Sequence, residues 1–436
     1  MKKLALHWQI IIAMIAGVLF GLLASAFGLS QFTADWIKPI GSIFISLLKM
    51  IAMPLVLFSL IAGIGGLKDV SKLSSMGGKT IGLYITTTAV AALLGILLVN
   101  VMQPGKFISE DARNKLVAKY QDKAVEKEKM AKSSHTEAKQ KGPLKFFEDL
   151  VPQNLFSAMT NNKNMLQIIL FAFLFGIAMV MIEPQKSATL MSVIEGVNSV
   201  IIKMVDLIML IAPIGVFALL ASIITEIAGN DPMSAINVLG ALAYYGVTVL
   251  IGLSIMAFLF YPFLLNTFTK YPYVAFFKAI RPAQLLAFST SSSAATLPVT
   301  MECVEKNIGA SKEVVGFVLP VGATVNMDGT SLYQAVAAVF IAQAFNMDLS
   351  MTAQLGIVLT ATLASIGAAA VPSAGLLMLV IVLEQIGAPM AGIGLIFAMD
   401  RILDMCRTVV NVTGDATVAT IIAHSEGQLV KPSQPV

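Results

Sequence analysis

Long runs of apolar residues are the feature that most constrains this chain of 436 residues. A helix needs about 20 residues to cross the ~30 Å hydrocarbon core of a bilayer. Stretches that reach or approach this length lie near residues 4–27, 41–66, 77–102, 165–182, 196–224 and 235–266. In lipid, a backbone must satisfy its hydrogen bonds within helices or closed barrels, and runs this long favour helices. The sequence therefore predicts an all-α membrane protein.

The composition supports this prediction and argues against other classes of protein. The chain is 57% hydrophobic and 12% charged, whereas soluble domains contain about 25% charged residues. A formal net charge of +4 is too small to indicate a nucleic-acid partner. The two cysteines, Cys303 and Cys406, lie in apolar surroundings. We therefore expect packed free thiols rather than a disulfide framework.

After residue 266 the apolar segments become shorter and are interrupted. They form two pairs, 283–305 with 312–345 and 352–388 with 390–424. Gly, Ser, Ala and Pro break the first segment of each pair. Such breaks are tolerated at membrane depth only where protein or a water-filled cavity covers the backbone. The broken segments therefore indicate a cavity inside the protein.

Two motifs recur in the same order in these pairs. SSSAATLP at Ser291–Pro298 and SIGAAAVP at Ser365–Pro372 share the pattern S-x-x-A-A-x-[LV]-P. Each is followed, across an apolar span, by N-x-x-G, at Asn326–Gly329 and at Asn411–Gly414. Corresponding broken segments in two halves are typical of a transporter whose site lies at the repeat interface.

The segment RILDMCRTVVNVTGDA, residues 401–416, places charged side chains inside an apolar span. Each such charge costs at least about 2.5–3.5 kcal/mol on insertion scales. On a helix, residues at steps of three and four share one face, here Asp400, Asp404, Arg407, Thr408, Asn411 and Asp415. An internal ion-pair ladder of Asp404 with Arg407 is one interpretation. A binding site is favoured, because intramembrane charges generally mark function.

A carboxylate beside a guanidinium complements an acidic amino acid. Asp404 would bind the ammonium group, and Arg407 would bind the side-chain carboxylate with its fork of donors. The α-carboxylate would bind backbone amides freed at the two broken segments, where half-helix ends concentrate N–H donors. The spacing of these residues therefore predicts an anionic amino-acid substrate.

Hard oxygen ligands suited to Na⁺ lie in the same motifs. Asp415 would join Asn326, Asn411 and the unwound carbonyls of GATVNMDGT in one site. Asp328 and the hydroxyls of YITTT could supply a second site. The residues leave the number of ions open.

Four segments, SSSAATLP, NMDGT, ASIGAAAVPSAG and DMCRTVVNVTGDA, resemble the signatures of the glutamate transporter family, the dicarboxylate/amino acid:cation symporters. The resemblance covers nearly the whole chain. It implies eight transmembrane helices, two re-entrant helical hairpins and inverted repeats. It also implies a homotrimer in the inner membrane of a prokaryote. In each subunit, a transport domain would move as an elevator against a scaffold domain. Lysines in alternate connections place the N-terminus in the cytoplasm, and eight spans then place the C-terminus there too.

The resemblance also divides the chain. The scaffold would contain 1–76 and 183–233, which carry the first two helices and the fifth. Residues 77–182 would hold the third helix (transport domain), a charged extracellular insert at about 103–149 and the fourth helix (scaffold). Residues 234–424 would hold the rest of the transport domain: the sixth helix, the first hairpin, the seventh helix, the second hairpin and the eighth helix. Residues 425–436 would form a cytoplasmic tail.

By position in the family motifs, nine residues would bind substrate: Ser291, Ser293, Thr330, Val371, Gly375, Asp404, Arg407, Thr408 and Asn411. About three sodium ions would accompany each substrate, at sites between the repeats. Their ligands would be Gly322, Asn326, Asn411 and Asp415 in one site; Thr324, Ser365, Ile366 and Ala368 in a second; and Tyr84, Thr87, Thr88, Asn326 and Asp328 in a third. Met327 would lie between the ions and the substrate, where we expect it to couple them. The second hairpin would be the extracellular gate, and the resemblance implies no organic cofactor.

The chain departs from the family pattern at a few positions. Members usually keep an extra arginine, before the first-hairpin serines or two positions before the substrate arginine; Ser291 and Met405 occupy those positions here. Arg401 either fills that space or extends to the membrane surface. Gln334 replaces the glutamate of proton-coupled animal members, and Asp415 is retained where proton-coupled bacterial relatives tend to have asparagine. Both positions favour sodium over protons.

Three alternatives are weighed against this interpretation. A C4-dicarboxylate carrier of the same fold would keep Arg407 but would have no ammonium for Asp404 to bind. A proton-coupled glutamate symporter would share the substrate site but not the sodium ligands. An intramembrane hydrolase would need a dyad or a nucleophile elbow, and the sequence has no GxGD motif and no histidine near a plausible dyad. We therefore predict that the chain is not an enzyme.

Overall fold

Helices provide the regular structure, as expected for a chain whose backbone must satisfy its own hydrogen bonds in an apolar surrounding. The computed structural model describes residues 6–65, 76–108, 110, 113, 151–160, 165–228, 232–366, 374–390 and 392–430. Within these residues there is no strand, and the only β contact is an isolated antiparallel bridge between Ala310 and Leu429. The predicted all-α class is confirmed. Val371, Ala368, most of the insert 103–149 and the end of the tail lie outside the described residues.

The helices of eight or more residues in the described ranges are α1 Leu6–Ala26, α2 Lys38–Gly65, α3 Gly78–Met102, α4 Met165–Met181, α5 Pro184–Leu210, α6 Ala212–Ala228, α7 Pro232–Ile255, α8 Tyr261–Phe268, α9 Tyr273–Thr290, α10 Ser293–Glu302, α11 Lys312–Val325, α12 Asp328–Ala344, α13 Met351–Ile366, α14 Ala374–Gln385 and α15 Gly392–Ser425. Short π-helical turns at Thr33–Ile37, Met256–Phe260 and Cys303–Ile308 extend α2, α8 and α10.

Several of these helices are long and apolar enough to cross a membrane. In the described part of the chain, the straight candidates are Trp8–Ala26, Ser30–Ala62, Gly78–Phe107 and Asn237–Phe268. The apolar stretch 196–224 belongs to two helices, α5 and α6, which meet at 53° rather than forming one straight span. Pro213 explains this bend, because proline lacks an N–H and disfavours helical geometry in the residue before it. The count of eight spanning helices stays a prediction.

The broken segments fold as helical pairs. Helices α9 and α10 pack against each other around a break at Ser291–Ser292, and α13 packs against α14. Helices α11 and α12 are separated by Asn326 and Met327, which have extended or irregular backbone angles. The second N-x-x-G motif, in contrast, continues without a break inside the 34 residues of α15.

The helices pack in two groups. Helices α1, α4 and α5 lie against α2 and α6. Gly17 and Gly21 let α1 approach α6 closely, because a Cβ at Gly17 would lie 2.8 Å from the Phe217 carbonyl oxygen. In the second group α15 is central and contacts α7, α9, α11 and α12, while α3 lies along α12. The predicted division into scaffold and transport domains stays a prediction.

Candidate substrate and cation site

One face of α15 carries the predicted charged ladder in the protein interior. Arg407 is only 1% exposed. Its Nη2 lies 2.6 Å from Asp404 Oδ1 and 3.2 Å from Asp400 Oδ1. Thr408, one residue further, donates its hydroxyl to the Asp404 carbonyl oxygen at 2.8 Å. The ion pair that the sequence suggested is therefore present, and one guanidinium faces two buried carboxylates.

The guanidinium of Arg407 is held from other sides as well. Its Cζ lies 3.9 Å above the centre of the Tyr333 ring, a cation–π distance. A Cβ at Gly375 would lie 3.0 Å from Arg407 Nη1, so only glycine lets α14 approach this closely. Among the described residues, Arg407 Nε and Nη1 have no hydrogen-bond partner. These two donors are available to a carboxylate, the group that the arginine fork binds best.

The break between α11 and α12 lies directly against α15. Asn411 Oδ1 accepts a hydrogen bond from the Gly329 amide at 2.8 Å, and Asn411 Nδ2 lies 3.3 Å from Met327 Sδ and 3.4 Å from Thr330 Oγ1. A Cβ at Gly329 would lie 2.7 Å from the Arg407 carbonyl oxygen. The N-M-D-G-T segment therefore needs glycine at this position, and the contacts bring Met327 and Thr330 to the predicted substrate residues.

The first hairpin contributes serines at its break. Ser291 has φ 52°, in the left-handed region, where a residue with a side chain costs about 1–3 kcal/mol. Its hydroxyl is buried and has no hydrogen-bond partner among the residues that the structure describes. Ser292 caps α10 by accepting a hydrogen bond from the Ala295 amide at 3.1 Å, and Ser293 is buried beside it. The break thus places the N-terminus of α10 next to the Ser291 hydroxyl.

The second hairpin is described on its α14 side. The carbonyl oxygen of Gly375 accepts a hydrogen bond from Gln334 Nε2 at 3.1 Å, which ties the start of α14 to α12. Ser365, near the end of α13, is buried and donates its hydroxyl to the Thr362 carbonyl oxygen at 2.8 Å. Ile366 ends α13. Thr324 likewise donates to the Val321 carbonyl oxygen of its own helix at 3.0 Å. The second predicted cation site therefore stays a prediction.

Asp328 is the centre of a buried oxygen cluster. Thr87 Oγ1 and Thr88 Oγ1 lie 3.2 and 2.7 Å from its Oδ1, and the Tyr261 hydroxyl lies 2.8 Å from its Oδ2. Two of these hydroxyls belong to the predicted YITTT segment of α3. The structure thus brings together residues that are about 240 positions apart in the chain.

A second carboxylate lies next to this cluster. Asp415 Oδ1 accepts a hydrogen bond from Asn326 Nδ2 at 2.8 Å, and Asn326 Nδ2 also lies 3.2 Å from the Asn411 carbonyl oxygen. A Cβ at Gly322 would lie 2.5 Å from Asp415 Oδ1 and would also collide with the Tyr84 hydroxyl. Asn326 Oδ1 is buried and has no hydrogen-bond partner in the described ranges. These oxygens suit a hard cation such as Na⁺.

Arg401 lies one and a half turns before Arg407 on α15. Its Nη1 is 3.6 Å from Asp404 Oδ2, and its side chain is 12% exposed. The second predicted arginine therefore points to the same carboxylate as Arg407, but from a more accessible position.

Three buried residues at this site have no role assigned by the sequence analysis: Asp400, Tyr333 and Tyr261. Asp400 lies on the predicted face of α15, so its periodicity could have identified it. Tyr333 and Tyr261 carry no local signal, because each reaches its charged partner only through helix packing.

Nearly the whole chain is similar to known proteins of one family. The chain matches the family model described as the Sodium:dicarboxylate symporter family over residues 6–425. It is 34% identical over 433 residues to the proton/sodium-glutamate symport protein of Geobacillus stearothermophilus, covering 98% of this chain and 96% of that protein. It is 34% identical over 440 residues to the proton/glutamate-aspartate symporter of Escherichia coli (strain K12), covering 97% and 93%. It is 32% identical over 425 residues to the C4-dicarboxylate transport protein of Paracoccus denitrificans (strain Pd 1222), covering 97% and 87%.

Proposed function

The chain belongs to the sodium:dicarboxylate symporter family, and from that premise we propose that it imports an acidic amino acid, L-aspartate or L-glutamate, together with sodium ions. The family is one of symporters, so the predicted resemblance is confirmed and the hydrolase alternative is excluded. The observation that carries the choice of substrate is the pairing of Arg407 with Asp404 in the protein interior.

The side chains of α15 fit an acidic amino acid in a defined orientation. Arg407 Nε and Nη1, which have no partner within the described part of the chain, would bind the side-chain carboxylate. Asp404 would bind the ammonium group, and this contact would weaken the attraction between Asp404 and Arg407. The α-carboxylate would accept hydrogen bonds from the amides at the start of α10 and from Ser291. Thr330, Thr408 and Asn411 would complete the polar lining, with Gly375 and Val371 on the side of the second hairpin.

A C4-dicarboxylate is the second candidate, because one relative is named a C4-dicarboxylate transport protein. A dicarboxylate would place two negative charges beside Asp400 and Asp404, with Arg407 as the one fully buried cation on this face. An ammonium group removes that repulsion. The buried carboxylates therefore favour the amino acid.

Sodium ions would bind the oxygen clusters around Asp328 and Asp415. Each cluster combines a buried carboxylate with hydroxyl or amide oxygens, and Asn326 Oδ1 lacks a partner among the described residues. The names of relatives include both protons and sodium. Gln334, an amide that cannot titrate, and the retained Asp415 favour sodium. Family resemblance supports about three ions per substrate, bound where the broken helices meet.

Alternating access would follow the elevator scheme. We propose that eight spanning helices and two re-entrant hairpins divide into a scaffold around α2 and α6 and a transport domain around α15, within a homotrimer in the inner membrane of a prokaryote. Both termini would lie in the cytoplasm. The two packing groups of helices, the break at Ser291–Ser292 between α9 and α10, and the packing of α13 against α14 support this arrangement.

Equilibrium binding to the purified protein tests the choice of substrate and ion. We expect L-aspartate or L-glutamate to bind in NaCl and to bind far more weakly when choline replaces sodium at the same ionic strength. Succinate should bind weakly in both media. Equal binding with and without sodium, or stronger binding of succinate than of both amino acids, would contradict the proposal.

A further inference from the structure

The short segment that follows α15 contacts two distant parts of the chain. We call residues 426–430 the C-terminal clasp. Gly427, with φ 67°, turns the chain after α15, and the Gln428 amide donates to the Ala423 carbonyl oxygen at 2.7 Å. This turn directs the clasp back across the end of the helix bundle, where it meets the loop before α11 and the first turn of α3.

Backbone hydrogen bonds join the clasp to the loop before α11. The Ser311 amide donates to the Gln428 carbonyl oxygen at 3.1 Å, and the Val430 amide donates to the Gly309 carbonyl oxygen at 2.9 Å. These two bonds form the isolated antiparallel bridge of the fold. Strand-like pairing of this kind fixes the register of one segment against the other.

Two side-chain contacts complete the clasp. The Ser311 hydroxyl hydrogen-bonds Gln428 Oε1 and also caps α11 by accepting a hydrogen bond from the Val314 amide at 3.2 Å. Lys79 Nζ of α3 lies 2.7 Å from Glu426 Oε1. The clasp therefore connects the ends of three helices, α3, α11 and α15.

The same three helices carry several ligands of the proposed cation sites, while Asp328 lies at the start of α12. Tyr84, Thr87 and Thr88 follow Lys79 on α3 within three turns. On α11 and α15 the spacing matches: fifteen residues separate Ser311 from Asn326, and fifteen separate Asn411 from Glu426. At 1.5 Å per residue, each distance is ~22 Å along the helix.

Helices α11 and α15 are therefore joined at two points, and these points are the same distance apart on both helices. At one end the clasp pairs with the loop before α11, and at the other Asn326 Nδ2 bonds the Asn411 carbonyl oxygen and Asp415 Oδ1. A shift of α11 along α15 would have to break both connections. Lys79 adds α3 to this arrangement, so the ligands on α3, α11 and α15 are held in register from one end.

We propose that the C-terminal clasp is a positioning device for the sodium sites, which sets the affinity for sodium rather than the affinity for the amino acid. The inference rests on the proposed sodium coupling. The clasp lies ~22 Å along α15 from Asn411, so it acts through helix register. A segment that only capped α15 would change the stability of the fold and leave the sodium affinity unchanged.

Full-length variants in the clasp test this proposal. Val430→Pro removes the donor to Gly309, and Lys79→Glu converts the ion pair into a repulsion. The double variant Lys79→Glu/Glu426→Lys restores opposite charges in exchanged positions. Lys306→Glu is the matched control, because Lys306 Nζ also lies 2.7 Å from a carboxylate, Glu302 Oε1, in an exposed pair outside the clasp.

The readout is the NaCl concentration that gives half-maximal L-aspartate binding, with the aspartate Kd at saturating NaCl as the second measurement. We expect Val430→Pro and Lys79→Glu to raise the half-maximal NaCl concentration about fivefold or more, the change that corresponds to the upper range for an exposed ion pair. The aspartate Kd at saturating NaCl should change by no more than about twofold, which is less than the loss of an exposed ion pair can cause. The double variant should return most of the sodium affinity, and Lys306→Glu should match the wild type.

The outcomes separate this inference from the proposed function. Unchanged sodium dependence in both clasp variants, an equal shift in Lys306→Glu, or no recovery in the double variant would overturn the clasp proposal alone. Absence of any sodium dependence in the wild type would overturn the proposed function and the clasp proposal with it. If Val430→Pro does not fold, the charge variants decide, because the Lys79 and Glu426 side chains are 49% and 23% exposed and tolerate substitution.

Discussion

Arg407 and Arg401 offer a matched pair of substitutions on one helix. Both guanidinium groups contact Asp404, Arg407 at 2.6 Å and Arg401 at 3.6 Å. Their environments differ, because the Arg407 side chain is 1% exposed and the Arg401 side chain is 12% exposed. We expect Arg407→Ala to abolish the preference for acidic substrates and Arg401→Ala to weaken it only slightly.

The size of the effect follows from this burial. Removing one partner of a buried, hydrogen-bonded charge pair costs about 2–5 kcal/mol, or about 30-fold to 5,000-fold in affinity. Arg407 is buried and has two donors without a partner among the described residues, so its removal belongs in that range. A more exposed ion pair contributes up to about 1 kcal/mol, or about fivefold, which is the limit expected for Arg401→Ala.

Competition against labelled L-aspartate at saturating NaCl measures both variants. Arg407→Ala should lose aspartate affinity far more than affinity for alanine, which has no side-chain carboxylate. Arg407→Lys keeps the charge without the fork and should fall between the wild type and Arg407→Ala. Equal losses for Arg401→Ala and Arg407→Ala, or an Arg407→Ala protein that still prefers aspartate, would refute the assignment of the guanidinium.

Three further substitutions test the cation sites and the coupling. Asp328→Asn should lower the apparent sodium affinity at least about tenfold, since a hydrogen bond to a charged group contributes about 1.5–3 kcal/mol, and a NaCl titration of aspartate binding that matches the wild type would contradict this role. Gly322→Ala places a methyl group 2.5 Å from Asp415 Oδ1, so sodium-dependent binding should be lost while the protein still folds by circular dichroism; normal sodium dependence would show that the cluster does not hold the ion. Gln334 donates a hydrogen bond to the Gly375 carbonyl oxygen, and a glutamate can donate there only when it is protonated. Uptake by Gln334→Glu should therefore rise as the pH falls, and a pH profile identical to that of the wild type would contradict this contact.

The sequence predicts the substrate face of α15 because one helical period fixes which residues share that face. It predicts the breaks at Ser291 and at Asn326–Met327 because clusters of small and polar residues interrupt apolar runs there. It does not predict the hydrogen bond from Tyr261 to Asp328 or the ring of Tyr333 beside Arg407, since those contacts depend on how separate helices pack. The bend at Ile211 is a local effect of Pro213, and the continuous apolar run around it gives no sign of it. The clasp is hidden for a related reason: its partners, Lys79 and Ser311, carry no pattern of their own.

Uptake into proteoliposomes tests sodium-coupled transport of an acidic amino acid most directly. Labelled L-aspartate, L-glutamate and succinate are added outside vesicles that carry an inward sodium gradient, an inward proton gradient or neither. The account predicts that aspartate or glutamate accumulates above equilibrium only with the sodium gradient, and that the accumulation disappears in Arg407→Ala and Asp404→Ala. Accumulation of succinate without the amino acids, or accumulation driven by the proton gradient alone, would contradict it.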